Sequence, residues 1–389
     1  MIIGIPKEIR DNEHRVAAVP ETVAKMVKSG MSVLVESDAG RASHMTDEAY
    51  QKAGAVIAKD AAQLYGQSEV ILKVQCPVQE QASGHLEIDL MKEQAVLIGF
   101  FSPLQHLDML PRLNAKKITT FSTDFLPRIA RAQSMDVLSS MSNIAGYKSV
   151  LLAANYLGKF FPMLMTAAGT IMPAKVLIIG AGVAGLQAIA TARRLGAVVL
   201  AMDTRPVVAE QVKSLGAEFA SLEVTHEQSE DTGGYAKELP PEFYRQEQEI
   251  IREHIKEMDV VITSAQIPGK RAPLLMTEEM VQAMKPGSVI VDLAVEQGGN
   301  CALIESGKIV VKHDVTLVGT LNLPSTMPIH ASFLYARNML AFLNHLVPDT
   351  NTLQLDLSND ITKSCLVTHL GETVNTAVKK ALEEQKDTI

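Results

Sequence analysis

Residues 175–205 read KVLIIGAGVAGLQAIATARRLGAVVLAMDTR, and this stretch constrains the fold more than any other. An apolar strand-like run ends at Gly180, Gly182 and Gly185 complete a G-x-G-x-x-G pattern, a helix-forming run follows, and a second apolar run closes on Asp203, 23 residues after Gly180. The pattern has a mechanical reading. Gly180 permits a tight turn, Gly182 lets the backbone approach a pyrophosphate, and Gly185 lets helix and strand pack closely, while the helix N-terminus attracts phosphate charge. With Ala181 and Val183 between and beside them, these residues form a candidate dinucleotide turn. Asp203 and Thr204 then stand where a ribose is recognised; the carboxylate accepts from a 2′-hydroxyl and repels a 2′-phosphate, which favours NAD over NADP. Arg205 is able to tolerate a phosphate, but beside Asp203 its plainer role is adenine stacking or a surface ion pair.

A chain of 389 residues, 47% hydrophobic and 21% charged, has material for two ordinary cores. Its formal net charge of -8 and lack of any basic run argue against a nucleic-acid partner. Cys76, Cys301 and Cys365 are odd in number and outside any metal spacing, so reduced buried thiols are expected, with no metal site. The amino-terminal MIIGIPKEIRDNEHR turns polar too early for a secretory signal. The uncharged stretch 176–192 holds three glycines and falls short of the roughly 20 residues of a membrane span, so no direct membrane insertion is expected.

Period and composition place the chain in the α/β class, as two doubly wound parallel sheets. The runs IIGI (2–5), SVLVES (32–37), EVILKV (69–74), AVLIGFF (95–101) and ITTFSTD (118–124) belong to a first unit; KVLIIG (175–180), AVVLAMD (197–203), DVVITSA (259–265), SVIVDLA (288–294) and KIVVKHD (308–314) belong to a second. A long helix over about 135–161 bridges them. Beyond residue 320, SFLYARNMLAFLNHL (332–346) carries an apolar stripe at Leu334, Met339, Leu340, Leu343 and Leu346 that a return to the first unit would cover. The expected division is therefore a discontinuous first domain, 1–134 with 325–389, and an inserted Rossmann-like domain, 135–324, ending in a solvated tail.

Just before the long helix, residues 127–140 read PRIARAQSMDVLSS, two arginines, a glutamine, an aspartate and three serines without a histidine, cysteine or lysine. Such a set pins a ligand through hydrogen bonds and has no group suited to carrying a proton. The same residues also make a helix start, with Ser134 or Gln133 at its head and Asp136 on the free N–H groups of the first turn; the two readings are compatible.

On these motifs, and on GIPKE, EHRVAAVP, RAQSMDVLSSMSNIAGY, TGGYAKE, SAQIPGKRAP and PGSVIVDLAVEQGGN, the sequence resembles the NAD-binding component of proton-translocating, Re/Si-specific NAD(P) transhydrogenases, and more distantly alanine dehydrogenases, along nearly its whole length. The resemblance implies NAD(H) bound here and NADP(H) bound on a partner subunit, with hydride passing directly between the two nicotinamides. It places the nicotinamide-side residues on Arg128, Gln133, Asp136 and Ser139, a mobile flap on Gly234 and Tyr235, and a further cofactor contact on Gln266. Hydride transfer is a problem of proximity, with reacting atoms about 3–3.5 Å apart, and needs no general acid. The family further implies a homodimer, separate membrane-spanning and NADP-binding subunits, and a place on the cytoplasmic face of a bacterial inner membrane through protein contacts.

The alternative of an alanine dehydrogenase, acting on pyruvate and ammonia, also has residues behind it. Arg15 and Lys73 match the arginine and lysine that such an enzyme uses on its substrate. Its proton-carrying histidine, however, falls on Ser102 in GFFSPLQH, with His106 four positions further on, and its acid falls on Glu296, longer than the expected aspartate. A third possibility is a module whose bound NAD never turns over. The segment 223–246, acidic and carrying Gly233-Gly234 and Pro240-Pro241, reads as a lid under the family resemblance and as a solvated loop without it.

Overall fold

The computed structural model describes residues 1–80, 84–221, 240–267, 269–348 and 352–387. Two compact units partition the chain, Met1–Met141 with Ser325–Ile389, and Ser142–Pro324, the first boundary falling inside the helix Val137–Tyr156. In chain order the strands are β1 (Ile2–Ile5), β2 (Ser32–Glu36), β3 (Val56–Ala58), β4 (Val70–Leu72), β5 (Val96–Gly99), β6 (Thr119–Ser122), β7 (Leu164–Thr166), β8 (Gly169–Ile171) and β9 (Lys175–Ile179). They continue as β10 (Val198–Asp203), β11 (Glu218–Ser221), β12 (Val260–Thr263), β13 (Val289–Asp292), β14 (Ile309–Lys312), β15 (Val315–Val318), β16 (Leu366–His369) and β17 (Glu372–Thr373).

The first unit holds the sheet β17-β16-β6-β5-β4-β1-β2-β3, and the second β11-β10-β9-β12-β13-β15-β14. In both, the chain starts in the middle, winds outward to one edge, and returns to wind outward on the other side, which is the doubly wound parallel arrangement. In the second sheet alternate residues feed opposite faces: Val176, Ile178, Val260, Ile262, Val289 and Val291 enter one core, and Leu177, Ile179, Val261 and Ile290 the other. Strands covered on both sides have no polar face to show, which is why they read as unbroken apolar runs.

Several local expectations are corrected. KIVVKHD supplies not a parallel strand but the antiparallel edge β14, joined to β15 through His313 and Asp314, both at positive φ. That pair of left-handed residues makes the tight two-residue turn that matches strand twist, and the parallel position passes to the short VTLV of β15. The helix expected over 332–346 starts earlier, at Pro328, and its buried stripe is Tyr335, Met339, Phe342, Leu343 and Leu346; Leu334 and Leu340 are half-buried. The stripe was misplaced because Tyr335 and Phe342 point inward, an orientation that apolarity alone does not assign. The expected solvated tail forms a helix, Thr376–Asp387, that buries Val378. The three cysteines are buried free thiols.

One close approach sets the spacing of the long helix. A Cβ on Gly146 would stand 2.1 Å from the carbonyl oxygen of Ala184, in the helix Val183–Arg194 that follows the glycine turn. Backbone cannot yield as a flexible side chain would. Gly146→Ala is therefore expected to destabilise the chain by about 1–3 kcal/mol through overpacking, although alanine is favoured over glycine in a helix interior by about 1 kcal/mol. Urea unfolding of the two proteins checks the sign.

Candidate functional site

The glycine turn occupies the carboxyl ends of the second sheet. Strands β9, β10, β12 and β13 run parallel, so Gly180 after β9, Asp203 closing β10, the segment from Ser264 after β12 and the segment from Leu293 after β13 all emerge at one edge. Strand order reverses between β9 and β12, and ligands of open α/β sheets bind where it reverses.

Each glycine answers to a distinct constraint. Gly180 has φ +93°, and a Cβ there would lie 2.9 Å from Ser264 Oγ; a Cβ on Gly185 would lie 1.9 Å from the Gly180 carbonyl oxygen. Packing alone demands those two. A Cβ on Gly182 would meet nothing nearer than an Arg205 nitrogen at 3.9 Å. No protein atom requires glycine there, so the requirement fits a ligand approaching the backbone, and the residues present suit a pyrophosphate.

Asp203 is buried and fastens the turn: the Ala181 N–H donates to Oδ2 at 2.7 Å. Arg205 donates from its backbone N–H and from Nε to Oδ1, both at 2.8 Å, and from Nη2 to Oδ2, also at 2.8 Å. The expected surface pair is thus a two-pronged fork on the ribose-recognising acid. Val183 opens the helix, and Thr204 is half-buried beside the pair. Gln266 follows β12 and donates from Nε2 to the Leu293 carbonyl at 2.9 Å, tying two loops of the cleft edge. Gly234 and Tyr235 lie outside the described residues.

Three residues to which the sequence alone assigned no role organise this edge, together with Ser264. Ser264 Oγ donates to the Gly180 carbonyl at 2.9 Å. Buried Asn300 accepts from the Ala265 N–H and donates to the Ala265 and Pro273 carbonyls, while buried Asp292 accepts the N–H groups of Ala294, Asn300 and Cys301. The motif DLAVEQGGN was visible, but nothing in it told that the aspartate and asparagine face loop backbone. Glu296 from the same motif accepts the Asn322 N–H at 2.7 Å. The third is Glu247, buried on the helix Pro241–Ile255, whose carboxyl is pushed up to about 8 by burial and then by the charge of Asp203.

In the first unit, residues 128–139 form a turn of 3-10 helix, Ala130–Met135, leading into the helix Val137–Tyr156. Asp136 caps that helix: Ser139 donates from its N–H at 2.9 Å and from Oγ at 2.6 Å. Arg128 and Gln133 are exposed on the preceding turn, and Asn338 holds that turn by donating to the Ser134 carbonyl at 2.8 Å. The structure so brings Asp136 and Ser139 into contact and displays Arg128 and Gln133 beside them in sequence. Capping consumes the N-terminal side of Asp136 without excluding a ligand from the exposed residues.

The two cations expected of a keto-acid site are neutralised from within. Lys73 Nζ, fully buried, donates to Glu87 at 2.6 Å and Glu8 at 3.2 Å. Burial opposes its charge, but the two carboxylates hold the ammonium above the usual lysine range. Burial also raises Glu8 to about 7 against the pull of Lys73. Arg15 is forked on Glu13, at 2.7 and 2.5 Å. Ser102 donates from its N–H and Oγ to Asp124, and His106 lies 3.5 Å from an Arg10 nitrogen, its pKa lowered by burial and by Arg10. Among the described residues no group of three or more His, Cys, Asp or Glu is placed to hold a metal ion, and no helix is long and apolar enough to cross a membrane.

Comparisons with known proteins cover nearly the whole chain. Residues 4–145 match the alanine dehydrogenase/PNT N-terminal domain, and residues 149–376 the alanine dehydrogenase/PNT C-terminal domain. The chain is 50% identical over 380 residues to an NAD(P) transhydrogenase alpha subunit of Rhodospirillum rubrum, covering 97% of this chain and 99% of that one. It is 33% identical to an alanine dehydrogenase of Methanococcus maripaludis, over 81% of this chain and 76% of that one. A crystal structure of transhydrogenase from Sinorhizobium meliloti superposes with a TM-score of 0.85 at 44% identity, over 96% of this chain and all of that one.

Glu247 carries a measurable consequence. Because its folded pKa is raised above the unfolded 4.5, the folded chain keeps a proton that the unfolded chain releases; this contribution is complete below about pH 4.5 and is lost as pH rises to about 8. Glu247→Gln, which stays neutral throughout, should flatten that part of the stability profile, read from urea midpoints at pH 5 and pH 8.5.

Proposed function

The chain belongs to the alanine dehydrogenase/PNT family, and we propose that it is the NAD(H)-binding subunit of a proton-translocating NAD(P) transhydrogenase, passing hydride directly between its NAD(H) and NADP(H) on a partner subunit. The observation that carries this choice within the family is the internal neutralisation of Lys73 by Glu8 and Glu87, alongside Arg15 on Glu13. A keto acid needs those cations for its own carboxylate and carbonyl, and breaking a buried pair by removing one partner typically costs about 3–5 kcal/mol. Ser102, already donating to Asp124, carries no proton at neutral pH.

A bound nicotinamide supplies the hydride chemistry; the chain supplies geometry. Gly180, Ala181, Gly182, Val183 and Gly185 receive the pyrophosphate on backbone N–H groups, and Asp203 with Thr204 and Arg205 reads the adenosine ribose. Gln266 shapes the edge at which the dinucleotide lies. Arg128, Gln133, Asp136 and Ser139 orient the nicotinamide end through its carboxamide and ribose, a task that asks for donors and acceptors and no proton carrier. Gly234 and Tyr235 close over the nucleotide and exclude water.

The partners follow from this assignment: an NADP-binding subunit, a membrane-spanning subunit, and a second copy of this chain, with the assembly on the cytoplasmic face of the inner membrane. The homodimer has a candidate surface. β7 and β8 pair only with each other and expose Met163, Leu164, Met165, Ile171 and Met172. An isolated two-stranded hairpin is marginal in water, so this one gains from being covered.

Mixed with an NADP-binding transhydrogenase subunit, the chain should oxidise NADH with an NADP analogue as acceptor. Gln133→Asn should slow that transfer by about 10- to 100-fold, the scale of an ångström's misplacement, with NADH binding nearly retained. A pyruvate- and ammonia-dependent rate for the chain alone, with no transfer in the mixture, decides for the dehydrogenase. Met165→Asp with Met172→Asp should move the sedimenting species from dimer to monomer; an unchanged dimer assigns the hairpin to another subunit.

A further inference from the structure

The ribose-recognising acid is already occupied. Asp203 offers roughly four lone-pair positions, and four N–H donors, three of them from Arg205, lie on its two oxygens at 2.7–2.8 Å. Its side chain is 5% exposed and that of Arg205 13%, so water does not relieve this competition as it would at an open surface. The Ala181 N–H and the Arg205 N–H belong to the backbone and stay; Nε and Nη2 belong to a side chain that can rotate away. The guanidinium also lies beside the turn, its Nη2 being the nearest atom to a Cβ built on Gly182.

We propose that Arg205 is a specificity-determining latch on Asp203, which the adenosine ribose of the dinucleotide must displace before its hydroxyls reach the carboxylate. This rests on the assignment of NAD(H) to the glycine turn. The exchange is selective by chemistry. A 2′-hydroxyl can donate to the carboxylate and so replaces a guanidinium N–H in kind. A 2′-phosphate monoester has no proton to donate when ionised, cannot replace the fork, and meets a carboxylate whose charge only Arg205 offsets. The latch therefore weakens NADH binding by the cost of opening it, while making the acid less repellent to a 2′-phosphate. Removing it should tighten NADH and weaken NADPH, separating the two coenzymes further.

The test is calorimetric titration of the full chain with NADH, NADPH and 2′-deoxy-NADH. Arg205→Ala should bind NADH about fivefold more tightly, equivalent to ~1 kcal/mol, bind NADPH more weakly, and leave 2′-deoxy-NADH nearly unchanged, since that ligand has no 2′-hydroxyl to compete. Arg205→Gln, which keeps most of the side chain's bulk without the charge, should move all three in the same directions and serves if the alanine variant fails to fold. Weaker NADH binding in both variants would make Arg205 a direct ligand and overturn the latch, as would an equal gain for NADH and its 2′-deoxy analogue. Absence of saturable NADH binding by the unaltered chain would instead overturn the coenzyme assignment itself.

Discussion

Gly185 and Gly180 approach so closely that a single methyl on Gly185 would stand 1.9 Å from the Gly180 carbonyl oxygen. The rest of the second unit is arranged around that contact. It brings the helix Val183–Arg194 onto the end of β9 with its N–H groups facing the turn, and Gly146 admits the long helix against Ala184 at 2.1 Å. Two such approaches leave the backbone as the only material near the turn, and backbone N–H groups are what a phosphate is bound by. Asp203, Ser264 and Asn300 then secure the surrounding loops by hydrogen bonds to main-chain groups, so that the cleft edge is fixed before any ligand arrives.

The glycine turn was legible because all its constraints are local: three glycines, two apolar runs and one acid within 29 residues of chain. The apolar runs of both sheets were legible for a related reason, since strands covered on both faces leave little ambiguity about where they lie. What the sequence did not disclose depends on pairing across the fold. The fork from Arg205 to Asp203 spans two positions, yet only the turn at the strand end shows that the side chain folds back instead of stacking outward. Asn300 and Asn338 look like any loop or helix asparagine until Ala265 and Ser134 are brought to them. β14 and β15 share one run of β-branched residues, and the reversal at His313 and Asp314 requires two non-glycine residues at positive φ, which propensity does not anticipate.

The 128–139 segment was legible in another sense: its composition told what it lacks. Asp136 and Ser139 satisfy each other and the first turn of the helix, which fixes the backbone path and leaves Arg128 and Gln133 exposed on a defined turn. A cap of this kind contributes about 1 kcal/mol and at the same time sets the orientation of its neighbours. Structural and functional readings of one short motif are here the same hydrogen bonds seen from two sides.

The carboxylates around Lys73 have a consequence for how the two branches of such a family can interconvert. Glu8 also accepts the Val74 N–H, and Glu87 the Val78 N–H and the Tyr65 hydroxyl, so each acid is anchored independently of the lysine. Replacing either one leaves the other to hold the ammonium and strands backbone donors in a sealed interior. A pocket for an incoming keto acid would need both acids, the Glu13 fork on Arg15 and the residue at 102 to change together, with no benefit from any one step. The cluster acts as a mutational ratchet, and the chain's commitment to one chemistry is written in its core rather than at its cleft.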